Sequence, residues 1–248
     1  MKSLRIVSLF TCVALFCIES NAQFNQYRLN HDRDPYYFGL SVGYNYSVLH
    51  TTRSKEFLQQ PAFTRIEPKG SHGLEFGLLS TARIYNNLEA RIAPKLVIGG
   101  SKSLSYYYDA DYIADKPSIQ NNPEVIRLPA TMVSVPLHVK LSSDRLNNFR
   151  VYMFAGPKYD INLAANSEEY KKARQLDLYP PPQIRQNQLG YEFGAGFSIY
   201  LPFTVVSPEI KIGNYFGNSH ISDPSNPYSN VLHKMNTRMI QFTLNFEE

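Results

Sequence analysis

The stretch TMVSVPLHVKLSSDRLNNFRVYMFAGPKYDINL (residues 131–163) decides how the rest of the chain is read. Val133, Val135, Leu137, Val139 and Leu141 fall on one face of an extended chain, and Ser134, Pro136, His138 and Lys140 on the other. After the polar turn Ser142–Asn148 the alternation resumes. Phe149, Val151, Met153, Ala155, Pro157, Tyr159 and Ile161 share one face; Arg150, Tyr152, Phe154, Gly156, Lys158 and Asp160 share the other. Period-two alternation predicts a sheet with one apolar and one polar side. Each run is about ten residues or more, the length a tilted strand needs to cross a bilayer.

The same pattern recurs along the chain. It predicts strands over 36–50, 71–85, 88–99, 188–201, 204–213 and 234–246, with the opening hairpin between them as the fourth and fifth. Pro94, on the apolar face of the third strand, predicts a bulge or kink, because proline removes a ladder hydrogen bond. The connections alternate long and short. The long ones are 51–70, 100–124, 164–187 and 214–233. The fold class expected is an all-β, eight-stranded, antiparallel up-and-down transmembrane barrel with four long external loops and short periplasmic turns. Tyr36, Tyr85, Phe149, Tyr200, Phe203 and Phe246 gather near the ends on the short-turn side, where an interfacial aromatic girdle is expected.

The N-terminus supports this compartment. Lys2 and Arg5 precede an apolar run from Ile6 to Ile18, and Ser20-Asn21-Ala22 offers a signal-peptidase site, so residues 1–22 read as a secretory signal. Residues 23–35 read as a solvated periplasmic tail and 36–248 as the barrel, with both termini periplasmic in the outer membrane of a Gram-negative bacterium. Cys12 and Cys17 both lie in the signal, which excludes disulfides and thiol chemistry from the mature chain. The formal charge is +4, and loss of Lys2, Arg5 and Glu19 leaves +3, too little to suggest a nucleic-acid partner.

The polar faces carry the candidate site residues. Glu75, Glu89, Asp160, Glu192 and Glu209 share the expected lumen with Arg83, Arg91, Lys95, His138, Lys140, Arg150, Lys158 and Lys211. An eight-stranded barrel has room inside only for side chains, so these charges are expected to form a packed ion network and not a channel. No phosphate loop, zinc-helix motif or nucleophile elbow is present; scattered serines with His72, His138, His220 and His233 are no evidence of a triad. No enzyme activity, cofactor, metal or small-molecule substrate is expected. The cluster Tyr106–Tyr112, with Asp109 and Asp111, reads as a self-packed surface loop in preference to a sugar or calcium site, since its spacing matches no calcium loop.

Residues 128–140 (LPATMVSVPLHVK), the turn SDRLNNFR (143–150) and AGPKYD with NLA (155–164) together resemble the PorT family, outer-membrane barrels of the Bacteroidetes type IX secretion system. The strong part of the likeness covers 128–166. A wider outer-membrane β-barrel likeness covers roughly 36–246. The resemblance implies a non-enzymatic role in secreting proteins with a C-terminal sorting domain, and in some relatives in gliding motility, with other secretion-system subunits and outer-membrane lipid as partners. It carries over no catalytic residues. Asp144, Arg145, Asn147 and Asn148, in the matched turn, are candidates either for contact with periplasmic machinery or for plain turn chemistry. A structural or adhesive barrel acting through its external loops is the alternative.

Overall fold

A computed structural model describes residues 26–59, 62–99, 102–114, 123–128, 131–166, 182–224 and 226–248. The signal segment, Glu168–Lys172, Pro180 and Pro181 lie outside the described residues.

The wall of the barrel is built from β1 (Tyr36–Arg53), β3 (Ser71–Tyr85), β4 (Leu88–Ile92), β5 (Lys95–Gly99), β8 (Met132–Ser142), β9 (Phe149–Asn162), β11 (Asn187–Tyr200), β12 (Val205–Tyr215) and β14 (Leu232–Glu247). Neighbours pair antiparallel in sequence order, except that β4 and β5 each pair with β3 and β8 and not with one another, and β1 pairs with both β3 and β14, so the sheet closes on itself. Closure removes the unpaired edges that lipid does not tolerate. β4 and β5 are one stave interrupted at Ala93-Pro94, where the sequence predicts a kink; the protein is therefore an eight-stranded barrel. The interruption keeps its polar groups paired: Leu78 N donates to Pro94 O at 2.9 Å and Ala93 N to Pro136 O at 3.2 Å. At Gly156 the neighbouring stave approaches so closely that a Cβ would stand 1.8 Å from Leu137 O, so only glycine fits there.

The apolar face points outward. Phe38, Leu40 and Val42 on β1, Phe76 and Leu78 on β3, Val139 on β8, Met153 on β9, and Phe242 on β14 are all exposed. An apolar band on every stave is far larger than a water-soluble monomer carries. The fifteen residues of β3 rise about 38 Å when tilted by ~40°, enough to cover the apolar band of ~25 Å. Among the expected girdle residues, Tyr36, Tyr85, Phe149, Phe203 and Phe246 are exposed at the short-turn end. Tyr200 is not: it is buried in the lumen mouth, because the alternation that turns Ile199 outward turns Tyr200 inward.

The described parts of the long connections hold strands that the sequence does not suggest. β2 (Phe63–Lys69), β6 (Ser103–Tyr108) and β7 (Glu124–Arg127) form a second sheet in the order β2-β6-β7. β10 (Gln183–Ile184) pairs with β13 (His220–Ile221). Leu49, Phe63, Leu104, Tyr106, Tyr228 and Met235 belong to a separate apolar core at this loop end. The Tyr106–Tyr112 cluster is accordingly not a surface loop: Tyr106 and Tyr108 lie on a strand with their rings in that core, and Asp111 and Tyr112 sit on a short helix, Ala110–Ala114.

Candidate functional site

Every stave turns its polar residues into the lumen, and the sequence-predicted charges meet there in tiers. Nearest the short turns, Glu89 is held by Arg83 and Lys140, each at 3.1 Å, and by the Tyr37 hydroxyl at 2.9 Å. Next, Arg91 bridges Glu209 and Glu247, the latter at 3.0 Å, while Lys211 lies 3.3 Å from Glu209. Above it, Glu192 faces Lys95 at 3.2 Å and His138 at 3.3 Å. Lys95 also lies 3.1 Å from Glu75. Nearest the loop end, Asp160 pairs with Lys158 at 2.8 Å and accepts from Ser134 and Tyr215. Val97, Met132, Tyr215 and Met239 close the lumen over this tier.

Arg150 stands apart from these tiers. Its partner is Asp32, at 3.2 Å, which belongs to the segment preceding the barrel. Among the described residues the staves contribute seven buried cations, Arg83, Arg91, Lys95, Lys140, Arg150, Lys158 and Lys211, and six buried carboxylates, Glu75, Glu89, Asp160, Glu192, Glu209 and Glu247. Asp32 is the seventh carboxylate.

Residues 26–34 are therefore not the solvated tail the sequence suggests. Leu29–Asp32 form a 3-10 turn laid across the mouth. His31 is buried with its ring 4.7 Å from that of Tyr37 and edge-on to Tyr200 at 5.8 Å. Burial drives its pKa below the ordinary 6.5; Arg83 and Arg28 push the same way, while Glu247 and Asp32 oppose them. The physical reason for the docking is electrostatic: a barrel left with Arg150 unpaired would bury a naked charge.

The turn Asp144–Asn148 is engaged with the same segment. Arg145 donates to Asp32 Oδ2 at 2.8 Å, to Tyr27 O and to Asn148 Oδ1 at 3.1 Å, and its guanidinium stacks 3.7 Å above the Tyr200 ring. Asn148 Oδ1 accepts from Tyr27 N at 2.9 Å. Asp144 accepts from Asn87 of the neighbouring turn at 3.0 Å. Asn147 takes φ 55°, a left-handed conformation that asparagine tolerates.

At the loop end, the Tyr228 hydroxyl donates to Glu124 at 2.6 Å and lies 2.6 Å from that of Tyr108, and burial pushes both phenols up. Lys102, pushed down to about 7 by burial, donates to Thr237 at 3.1 Å. His220 Nε2 lies 2.9 Å from Ser229 Oγ, the only Ser–His pair brought together among the described residues. Both are buried and His220 Nδ1 meets no carboxylate, so the pair lacks the third member and the access that a hydrolase needs. No group of three or more metal-ligating side chains occurs among the described residues.

Sequence reasoning missed Asp32, Tyr37, Tyr152, Tyr215, Gln241 and Glu247. Glu247 carried a usable signal: it continues the inward register of Thr243 and Asn245, one residue past the expected strand end.

These features define an outer-membrane barrel, and a comparison with known families agrees. Residues 21–222 match the family described as "Outer membrane protein beta-barrel domain". The chain belongs to that family, which places it in the outer membrane. Among solved structures it is similar to Ail, the attachment invasion locus protein of Yersinia pestis (8% identity, 87% of this chain and 100% of that one, TM-score 0.36). It is also similar to Neisserial surface protein A (10%, 84% and 96%, TM-score 0.39) and to OprG of Pseudomonas aeruginosa (12%, 86% and 96%, TM-score 0.40). No curated protein matches.

Proposed function

We propose that this barrel is a non-enzymatic accessory subunit of a type IX secretion system, with both termini and the short turns in the periplasm. The observation that carries the reading is the PorT-like stretch 128–166, which builds β8, β9 and the turn between them. A lumen packed with ion-paired side chains has no room for a polypeptide, so the subunit serves assembly or support of a larger translocon and is not its conduit. Its contact surface is the short-turn end, around Asp144, Arg145, Asn147 and Asn148.

A deletion strain tests this. Cargo with C-terminal sorting domains should disappear from the medium and accumulate in the periplasm. Normal cargo secretion with loss only of surface binding would instead favour an adhesive barrel, a second reading supported by the folded three-stranded sheet at the loop end.

A further inference from the structure

The short-turn mouth has the construction of a peptide-binding site. Its floor is three arginines, Arg83, Arg145 and Arg150, whose side chains are all at least nine-tenths buried. Arg83 is paired with Glu89 inside the barrel; in the docked segment the targets of the three are one carboxylate and a run of backbone carbonyls. Asp32 Oδ2 takes Arg145 at 2.8 Å, and Asp32 Oδ1 takes Arg150 and the Tyr200 hydroxyl, each at 3.2 Å. Arg83 reads His31 O at 2.9 Å and Asp34 O at 3.2 Å on one side of that carboxylate. On the other side Arg145 reads Tyr27 O, Asn148 pairs with Tyr27 N, and Arg28 reaches back to Phe203 O at 2.6 Å. The docked piece, a 3-10 turn entered through a left-handed Arg28, is thus held by the backbone groups that turn presents plus one acidic side chain at a fixed place.

We propose that this mouth is a carboxylate-reading peptide site, filled in cis by residues 27–34 and open in trans to an acidic segment of a partner protein. Charge supports the choice of occupant. The staves hold one cation more than they hold carboxylates, and Arg145 on the turn adds another. Withdrawal of Asp32 leaves Arg145 and Arg150 without a carboxylate, and only an incoming acidic group restores the pairing. The cis segment then acts as a competitor. Tethered by a few residues to β1, it sits at an effective concentration on the order of millimolar, which a partner has to exceed. The partner's identity as secretion machinery rests on the function proposed above; the site itself does not.

The test uses the full chain purified in detergent and a fluorescent peptide of the sequence of residues 26–35. Asp32→Lys sets a like charge against the arginines and expels the cis segment; Asp32→Asn is the milder variant if the lysine blocks folding. Retention of the folded barrel is checked by its heat-dependent gel mobility. The peptide should bind the folded variant at least about tenfold more tightly than it binds the unaltered protein, because the cis competitor is gone. Asp32→Asn in the peptide, or Arg145→Ala added to the protein, should abolish that gain. Equal binding of the two peptides, or no binding to a folded Asp32 variant, overturns the proposal. Peptide capture with normal cargo secretion in an Arg145→Ala strain supports the site and overturns the secretion role; a secretion defect without peptide capture does the reverse.

Discussion

Arg91 is the residue whose loss most directly measures how the lumen is held. Its side chain is 1% exposed and it bridges two carboxylates from different staves. Replacement by methionine keeps the bulk and removes the charge. The two carboxylates then fare differently. Glu209 retains Lys211 at 3.3 Å and the Tyr152 hydroxyl at 2.8 Å. Glu247 retains only the Ser207 hydroxyl, at 3.3 Å. One buried carboxylate is therefore left without a cation, and breaking a buried pair in this way costs about 3–5 kcal/mol. Adding Glu247→Gln removes the stranded charge, so the double variant should recover most of the loss, with a coupling of roughly 2–3 kcal/mol. The chain has no tryptophan, so urea unfolding of the detergent-solubilised protein is followed by far-UV circular dichroism. A loss below about 1 kcal/mol for Arg91→Met, or no recovery in the double variant, would show that solvent reaches these groups and that the tiers are not a dry, coupled network.

The docked N-terminal segment should loosen in acid. The folded pKa of His31 is depressed, so the docked state binds fewer protons; its stability is complete above the ordinary value of 6.5 and is lost as pH falls below it. Hydrogen exchange at the His31 and Arg33 amides, which donate to Arg28 O and Asn30 O, should lose protection relative to the intrinsic rate as pH drops through that value, and His31→Phe should remove the dependence. Phe242, 60% exposed in the middle of β14, should tolerate arginine poorly, at a cost of roughly 2–4 kcal/mol if it faces acyl chains; a neutral effect in the same unfolding assay would take it out of the lipid. In planar bilayers the purified barrel should show no steady conductance, and a sustained large opening would mean that the tiers do not fill the lumen.

Much of this architecture is legible in the amino-acid sequence because a transmembrane strand has to announce both of its faces. In β1 the alternation of Phe38, Leu40, Val42 and Tyr44 with Gly39, Ser41, Gly43 and Asn45 fixes which side meets lipid without reference to any other strand. The candidate lumen charges follow from the same parity. What parity does not reveal is pairing across the lumen. Arg145 and Asp32 meet across a sequence separation of 113, and a charged stretch before the first strand looks the same whether it is solvated or docked. The second sheet was hidden for a different reason. Its strands are short and surrounded by Pro, Asn and Ser, although Leu104, Tyr106 and Tyr108 already alternate within Ser103–Tyr108.

The docked segment also bears on why an eight-stranded barrel carries so many buried charges. Lipid requires an apolar exterior, and the period of two then places every other residue in a space from which water is largely excluded. Uncharged polar residues fill such a space at lower desolvation cost; ions fill it only when each finds its opposite. In this chain the tiers built from β3, β4, β5, β8, β9, β11, β12 and β14 satisfy that condition internally, and Arg150, which stands apart from them at the short-turn end, does not. Arg150 needs Asp32, so the barrel alone is electrostatically incomplete at its short-turn end. A stave carboxylate placed opposite Arg150 would remove the deficit and make the docked segment dispensable. Installing one by Ser207→Glu beside the Ser198–Ser207 hydroxyl pair would, on this argument, set a second carboxylate against Glu247, which Ser207 already approaches to 3.3 Å, and leave Arg150 still bound to Asp32. The deficit is thus a property of where the staves end, and the segment that fills it is the only described acidic element that reaches the mouth from outside the wall.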